Sequence, residues 1–199
     1  MKLYCATTNP GKLREFQLAL PAPFDVEALP GLASIAAPEE TGATFEENAI
    51  LKALYYSKHC NGLLFVDDSG LAVDALSGAP GVYSARFAGP DAHDEENNRL
   101  LLERMRGVED RTARFICVVA LADAGQLVAT FRGEVEGRLT DAPHGPNGFG
   151  YDPLFFYQPF GSTFGEAPLE RKMQVSHRSR ALRKMREYLD TRSSPGTQS

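Results

Sequence analysis

Two adjacent carboxylates, Asp67 and Asp68, stand where the apolar run Leu63-Leu64-Phe65-Val66 breaks into Asp67-Asp68-Ser69-Gly70. The run reads as a buried strand ending at a polar turn. Carboxylates there lie beside the core yet face a crevice, a setting that suits a hard cation. Neighbouring strand residues point to opposite sides, so only one of the two need face such a site. Upstream, Glu39-Glu40-Thr41-Gly42 supplies another acidic pair beside a glycine turn, and one carboxylate from each place could hold Mg²⁺. Taken alone, Glu39 and Glu40 read as solvated loop acids. For Asp68, the apolar strand leading into it favours a functional role.

Other segments could meet a polyanion and a flat ring. In Thr7-Thr8-Asn9-Pro10-Gly11-Lys12 a strand runs into a glycine turn and a helix start. Free amides and a lysine at a helix N-terminus favour phosphate. It is not a Walker loop, because Ala6 stands where that motif has glycine and Leu13 where it has Ser or Thr. Gly145-Pro146-Asn147-Gly148-Phe149-Gly150-Tyr151-Asp152-Pro153 is glycine-rich and carries two rings. A ring on such a loop can stack on a base or plug the core. Ser176-His177-Arg178 opens the last helix, with Ser176 as cap. Cations in a first turn oppose the helix dipole, so Arg178 calls for a carboxylate neighbour or an electron-rich ligand. Lys172 could meet the same ligand.

Composition narrows the classes. The chain has 199 residues, 43% hydrophobic and 24% charged, with net charge −5. That is ordinary for a globular domain with a real core, and it lacks the basic face of a protein that grips long nucleic acid. The three cysteines, Cys5, Cys60 and Cys117, form no C-x-x-C pair and read as small buried hydrophobes in a reducing compartment. Met1 to Thr7 reaches a turn too soon for a signal peptide, and no apolar run approaches a membrane span. The expectation is a cytoplasmic protein. No histidine pair has zinc spacing, no G-x-S-x-G occurs, and no G-x-G-x-x-G follows a strand. Asp68-Ser69-Gly70 matches the aspartic-protease triplet but occurs once, whereas that chemistry needs two aspartates sharing a proton.

Periodicity and punctuation supply the elements. Leu3 to Thr7 predicts a first strand, and Leu13, Phe16 and Leu20 mark a helical face stopped by Pro21. A short strand is expected near Val26. Thr44-Phe45-Glu46-Glu47 fits a capping box for a helix to about Lys58. Residues 74–91 read as loop, and Asp94 to Met105 as a helix closed by Gly107. Arg111 to Asp123 and Gln126 to Leu139 predict a long β-hairpin turned at Asp123-Ala124-Gly125. Leu154 to Tyr157 reads as a strand and His177 to Leu189 as the last helix. The prediction is an α/β fold with a mixed sheet, one domain over 1–191, and a disordered C-terminal tail over 192–199.

Together these segments resemble the inosine triphosphate/xanthosine triphosphate pyrophosphatase family, the Ham1-like purine nucleoside triphosphate pyrophosphatases. The family's marks stand here in its order: Thr7 to Lys12, Glu40 to Gly42, Phe45 to Ala53, Asp67 to Leu71, Gly78 to Arg86, Gly148 to Phe155, and Ser176 to Arg178. The resemblance implies an elongated mixed sheet with helices forming two lobes around a central cleft, and a homodimer. It implies Asp68 as general base and metal ligand, and Glu40 as a second Mg²⁺ ligand. Thr7, Thr8, Asn9, Pro10, Gly11, Lys12, Lys52 and Ser69 would surround the triphosphate. Phe149 with Gly150 would stack on the purine, and Tyr151, Asp152, Lys172, His177 and Arg178 would contact base and phosphate. The family tends to have a short helix before Lys172; Gly165 and Pro168 in Thr163 to Leu169 would weaken or shift it.

The implied reaction is magnesium-assisted water attack at the α-phosphorus of inosine or xanthosine triphosphates, with Asp68 orienting or deprotonating the water. The 6-keto acceptor of these bases suits a donor such as Arg178, where adenine's 6-amino group would set donor against donor. One alternative keeps the scaffold with pyrimidine or modified-nucleotide substrates, as in the Maf-type pyrophosphatases. Another is a nucleotide sensor without turnover. Phe149 and Ser176-His177-Arg178 speak against the first, and the Asp68 and Glu40 pair against the second.

Overall fold

The structure, a computed structural model, describes residues 1–193. Its frame is a seven-stranded mixed sheet in the order β2-β1-β3-β4-β5-β6-β7. The strands are β1 (Lys2–Cys5), β2 (Asp25–Ala28), β3 (Leu64–Val73), β4 (Thr112–Asp123), β5 (Gln126–Leu139), β6 (Phe155–Tyr157) and β7 (Ser162–Thr163). β1 runs parallel to β2 and β3, and every later pairing is antiparallel. The expected hairpin is β4–β5, within a residue of its predicted bounds.

The helices are α1 (Pro10–Ala19), α2 (Phe45–Tyr56), α3 (Asp94–Arg104), α4 (Leu169–Met173) and α5 (His177–Ser193). Asn9 caps α1 by accepting from the Lys12 amide, with Pro10 in the first turn where no amide is needed. Thr44 and Glu47 form the expected capping box of α2. Among the described residues no helix is long and apolar enough to cross a membrane.

Alternation along the central strands divides the core. Phe65, Cys117, Val119 and Leu121 meet Phe16 of α1 and Leu182 and Met185 of α5 on one face. Leu64, Val66, Val118 and Ala120 meet Ala49 and Ala53 of α2 on the other. Toward β6, Phe115, Phe155 and Phe164 continue the first face.

Two expectations are corrected. β3 does not end at a polar turn: it runs through Asp67, Asp68, Ser69 and Gly70 to Val73 and pairs with β4 throughout. Its polar side chains are tolerated mid-strand because each finds a charged or hydroxyl partner. The short helix α4 starts only at Leu169, after Gly165 and Pro168, and contains Lys172, in keeping with the expected shift. α5 continues beyond Leu189, so Arg192 and Ser193 of the expected disordered tail are helical; residues 194–199 lie outside the described residues.

Candidate active site

β1 is short, and that opens the site. It pairs with β3 only at Tyr4 with Leu64 and Cys5 with Phe65, so β3 beyond Phe65 has no strand on that edge. Asp67 and Asp68 follow at once and point to opposite faces. The turn after β1, residues 6–9, leaves β3 after the Ala6 amide bonds the Phe65 carbonyl and leads into α1.

On the α1/α5 face Asp67 is the hub. Its Oδ1 accepts from Lys12 Nζ at 2.9 Å, and its Oδ2 accepts from Arg178 Nε at 3.1 Å and Ser69 Oγ at 3.0 Å. Burial alone would push this carboxyl up, but Lys12 and Arg178 together hold it well below the usual carboxylate range. Arg178 also donates to Ser69 Oγ at 2.8 Å and to Glu15 of α1. Lys172 Nζ lies 2.7 Å from Glu15 Oε1 and 2.6 Å from Asp152 Oδ2. Glu15, Lys172 and Arg178 are each at most 2% exposed. Glu15 and Asp67 are therefore the carboxylate neighbours that Arg178 required, and Ser176 Oγ caps the helix by accepting from the Ser179 amide.

Above this network lies the Gly148–Asp152 loop. The Phe149 ring stands over Lys172 Nζ at 4.9 Å and Arg178 Cζ at 5.5 Å. A β-carbon at Gly11 would meet that ring at 2.8 Å, so the α1 turn can lie against it only because residue 11 is glycine. His177 stacks on Phe115 at 4.7 Å, and its Nδ1 is buried without a protein partner. Burial, reinforced by Arg178 and Lys172, keeps this imidazole neutral far below its ordinary pKa. Asn9, Lys12, Ser69, Phe149, Gly150, Tyr151, Asp152, Lys172, His177 and Arg178 line one cavity of about 130 Å³.

On the α2 face Asp68 Oδ1 accepts from Lys52 Nζ at 2.6 Å, and Glu40 Oε1 accepts from the same nitrogen at 2.9 Å. Arg86 holds the second Glu40 oxygen at 3.1 Å. Burial pushes the Asp68 carboxyl up, and Lys52 only partly opposes it. For Glu40, burial is outweighed by Lys52 and Arg86, which hold it down.

The chain is similar to known proteins. Residues 3–188 match the model of the Ham1 family. The chain belongs to the Ham1 family. A dITP/XTP pyrophosphatase of an Exiguobacterium species is 50% identical over 186 residues, covering 93% of this chain and 95% of the relative. One from Acidobacterium capsulatum is 50% identical over 193 residues, covering 92% and 95%. The Staphylococcus aureus Ham1 protein superposes with a TM-score of 0.86 at 38% identity, over 97% of this chain and 100% of that one.

Of the residues expected to act in this Ham1-family chain, the structure gathers two groups joined through the adjacent Asp67 and Asp68. Thr7 accepts from the Asn9 amide, Thr8 is exposed on the turn after β1, and Pro10 is exposed at the start of α1. Tyr151 lines the cavity but is buried, and its hydroxyl donates to the Ser84 carbonyl at 2.8 Å, so the ring props the loop. Lys172 is committed to Glu15 and Asp152. Glu15 was not anticipated. Its signal is spacing: Lys12, Glu15, Phe16 and Ala19 share one helical face, which puts an acid on an apolar stripe. Arg86, Asp94 and Asn98 were also missed, and single residues on loops and exposed helix faces give no such cue. A larger cavity of about 1030 Å³ lies beside α3. Its rim mixes Glu95, Glu103 and Glu109 with Arg99, Arg106 and Arg111, so it offers no field of one sign.

Proposed function

We propose that this chain hydrolyses deaminated purine nucleoside triphosphates, of the inosine and xanthosine type, to the monophosphate and pyrophosphate. The observation that carries the reading is the Asp67–Asp68 pair on an open strand edge. One carboxylate anchors Arg178 under an aromatic roof, and the other belongs to the Lys52–Glu40 cluster. A base pocket and a phosphate-cleaving site thus meet at consecutive residues. The relatives named dITP/XTP pyrophosphatase support the same substrate class.

At the base end, Phe149 stacks on the purine, while Arg178 and the unpartnered Nδ1 of His177 meet its polar edge. Leaving a buried polar atom unpaired costs about 1–3 kcal/mol, which a complementary base recovers. Hypoxanthine and xanthine offer a 6-keto acceptor and an N1–H donor; adenine inverts both.

At the phosphate end, the cations stand parked on carboxylates: Lys12 on Asp67, and Lys52 on Glu40 and Asp68. Asp68 takes the proton of the attacking water as it closes on the α-phosphorus, and pyrophosphate leaves beside Lys12 and Lys52. A divalent cation fits this donor set, because carboxylate oxygens of Glu40 and Asp68 already converge on one positive point, Lys52 Nζ. Glu40 and Asp68 would hold Mg²⁺, which supplies Lewis acidity toward phosphoryl oxygens and acidifies bound water. Lys52 would then be free for phosphate.

The same reading carries a cytoplasmic homodimer that does not bind nucleic acid polymers, in keeping with net charge −5 and free Cys5, Cys60 and Cys117. The direct test is pyrophosphate release from a panel of nucleoside triphosphates, with Mg²⁺ and with chelator. Mg²⁺-dependent release from inosine and xanthosine triphosphates, with adenosine and guanosine triphosphates spared, is the expected result. Equal turnover of adenosine triphosphate would overturn the base reading. Light scattering on the purified chain checks the dimer.

A further inference from the structure

The aromatic roof of the pocket is held from two sides, and one side belongs to none of the motifs above. From below, Asp152 accepts from the Phe149 amide at 2.9 Å and is itself fixed by Lys172. From above, α3 grips the next residue. Asp94 Oδ2 accepts from the Gly150 amide at 2.6 Å, and Asn98 Nδ2 donates to the Gly150 carbonyl at 2.9 Å. Asp94 and Asn98 stand one helical turn apart on the same face, so one rigid element binds both polar groups of a single peptide residue. Gly150 has φ +60°, a left-handed conformation that aims its amide and carbonyl toward α3. α3 is in turn pinned by Asn97, which accepts from the Ala88 amide at 2.8 Å and donates to the Ala85 carbonyl at 3.2 Å. Asp94 also lines the cavity itself.

We propose that Asp94 and Asn98 are positioning residues for base recognition: by clamping Gly150 they fix the height of the Phe149 ring above Arg178 and His177. This rests on the reading of Phe149 as the base platform. Asn98 gives the argument its second leg. Its Oδ1 is buried without a donor. Such an acceptor weakens the fold, and an apolar residue of similar size would not carry that penalty. Against that penalty the side chain offers its bond to the Gly150 carbonyl, and that carbonyl is the group it holds.

The test compares Asp94→Ala, Asp94→Asn, Asn98→Leu and Phe149→Ala with the parent chain. KM and kcat are measured for inosine triphosphate, and inorganic tripolyphosphate serves as a competitive inhibitor that carries the phosphates without a base. Loss of one clamp bond should raise KM about three- to tenfold, the scale of one hydrogen bond, and more than it lowers kcat. Inhibition by tripolyphosphate should be unchanged, and Asp94→Asn, which keeps an acceptor oxygen, should recover most of the KM. Asn98→Leu should keep or raise the melting temperature while it raises KM, the opposite of what a merely structural role gives. The proposal is overturned if Asp94→Ala and Asn98→Leu leave KM unchanged while Phe149→Ala raises it. It is also overturned if tripolyphosphate inhibition weakens in parallel with KM. If Phe149→Ala itself leaves KM unchanged, the platform reading fails and the clamp falls with it.

Discussion

At the residue scale, adjacent side chains have different duties because a strand sends neighbours to opposite faces. Asp68, pushed up by burial beside Lys52, is the proton acceptor we propose; Asp67 is held down by Lys12 and Arg178 as an anion. Asp68→Asn should keep the fold and lose turnover by roughly a hundredfold or more, the scale of a missing acid–base group. Single-turnover pyrophosphate release on the purified variant checks this, and near-parental turnover would remove Asp68 from the role. Arg178 needs a gentler change. Arg178→Ala would take one of two cationic partners from each of the buried carboxylates Glu15 and Asp67, leaving them with Lys172 and Lys12 alone, and would weaken the fold as well as the pocket. Arg178→Lys keeps the charge but removes the planar fork. It should narrow the preference for inosine over adenosine triphosphate more than it weakens inhibition by tripolyphosphate. Equal rate losses on both nucleotides would show that Arg178 does not read the base. Much of this was legible in the sequence, because the motif residues are distinctive types at fixed spacings. Their pairings were not legible: nothing in the spacing of Glu15, Asp67 and Arg178 says that three distant segments share one ion network.

At the element scale, α5 is the piece whose seat decides where His177 and Arg178 stand. It lies on β5 at Gly133, where a β-carbon would run into the His177 carbonyl and come within 2.5 Å of the Ala181 amide nitrogen. Both are backbone atoms, so they cannot swing aside. Gly133→Ala should lift the first turn of α5 off the sheet, costing about 1–3 kcal/mol by overpacking. For a chain of this size that lowers the melting temperature by about 2–4 °C per kcal/mol. KM for inosine triphosphate should rise with it if the helix start carries the base contacts we propose. A variant that melts like the parent and binds equally well would show that α5 has room to spare. The hairpin β4–β5 and the capped helices were readable because periodicity and capping are local. β3 was not, for a physical reason. Asp67, Asp68 and Ser69 look like a turn in sequence, and only the lysines and arginine brought from α1, α2 and α5 make a polar stretch stable inside a strand.

At the scale of the whole molecule, the fold buries a group of ionisable side chains on one face of the sheet, and His177 is its neutral member. The unfolded chain binds a proton at this residue near pH 6.5, whereas the folded chain resists it to well below that value because of burial, Arg178 and Lys172. The unfolded state thus holds more protons between the two pKa values, and stability falls as pH drops through 6.5. One proton sets a slope of at most about 1.4 kcal/mol per pH unit. His177→Gln removes the titration but keeps an amide in the pocket. The parent should therefore lose about 2–4 °C more of its melting temperature than the variant for each kcal/mol of this term as pH falls from 6.5 to 5.5. Above pH 7.5 the two curves should run parallel. Thermal unfolding of both chains across this range, without nucleotide, decides it. Parallel curves over the whole range would mean that His177 takes up a proton inside the fold. It would then present two N–H donors to the base, and the N1–H of hypoxanthine could no longer be read by an imidazole acceptor. Rejection of adenine would then rest on the 6-keto group alone, so this stability curve bears directly on how the pocket tells a 6-keto base from a 6-amino one.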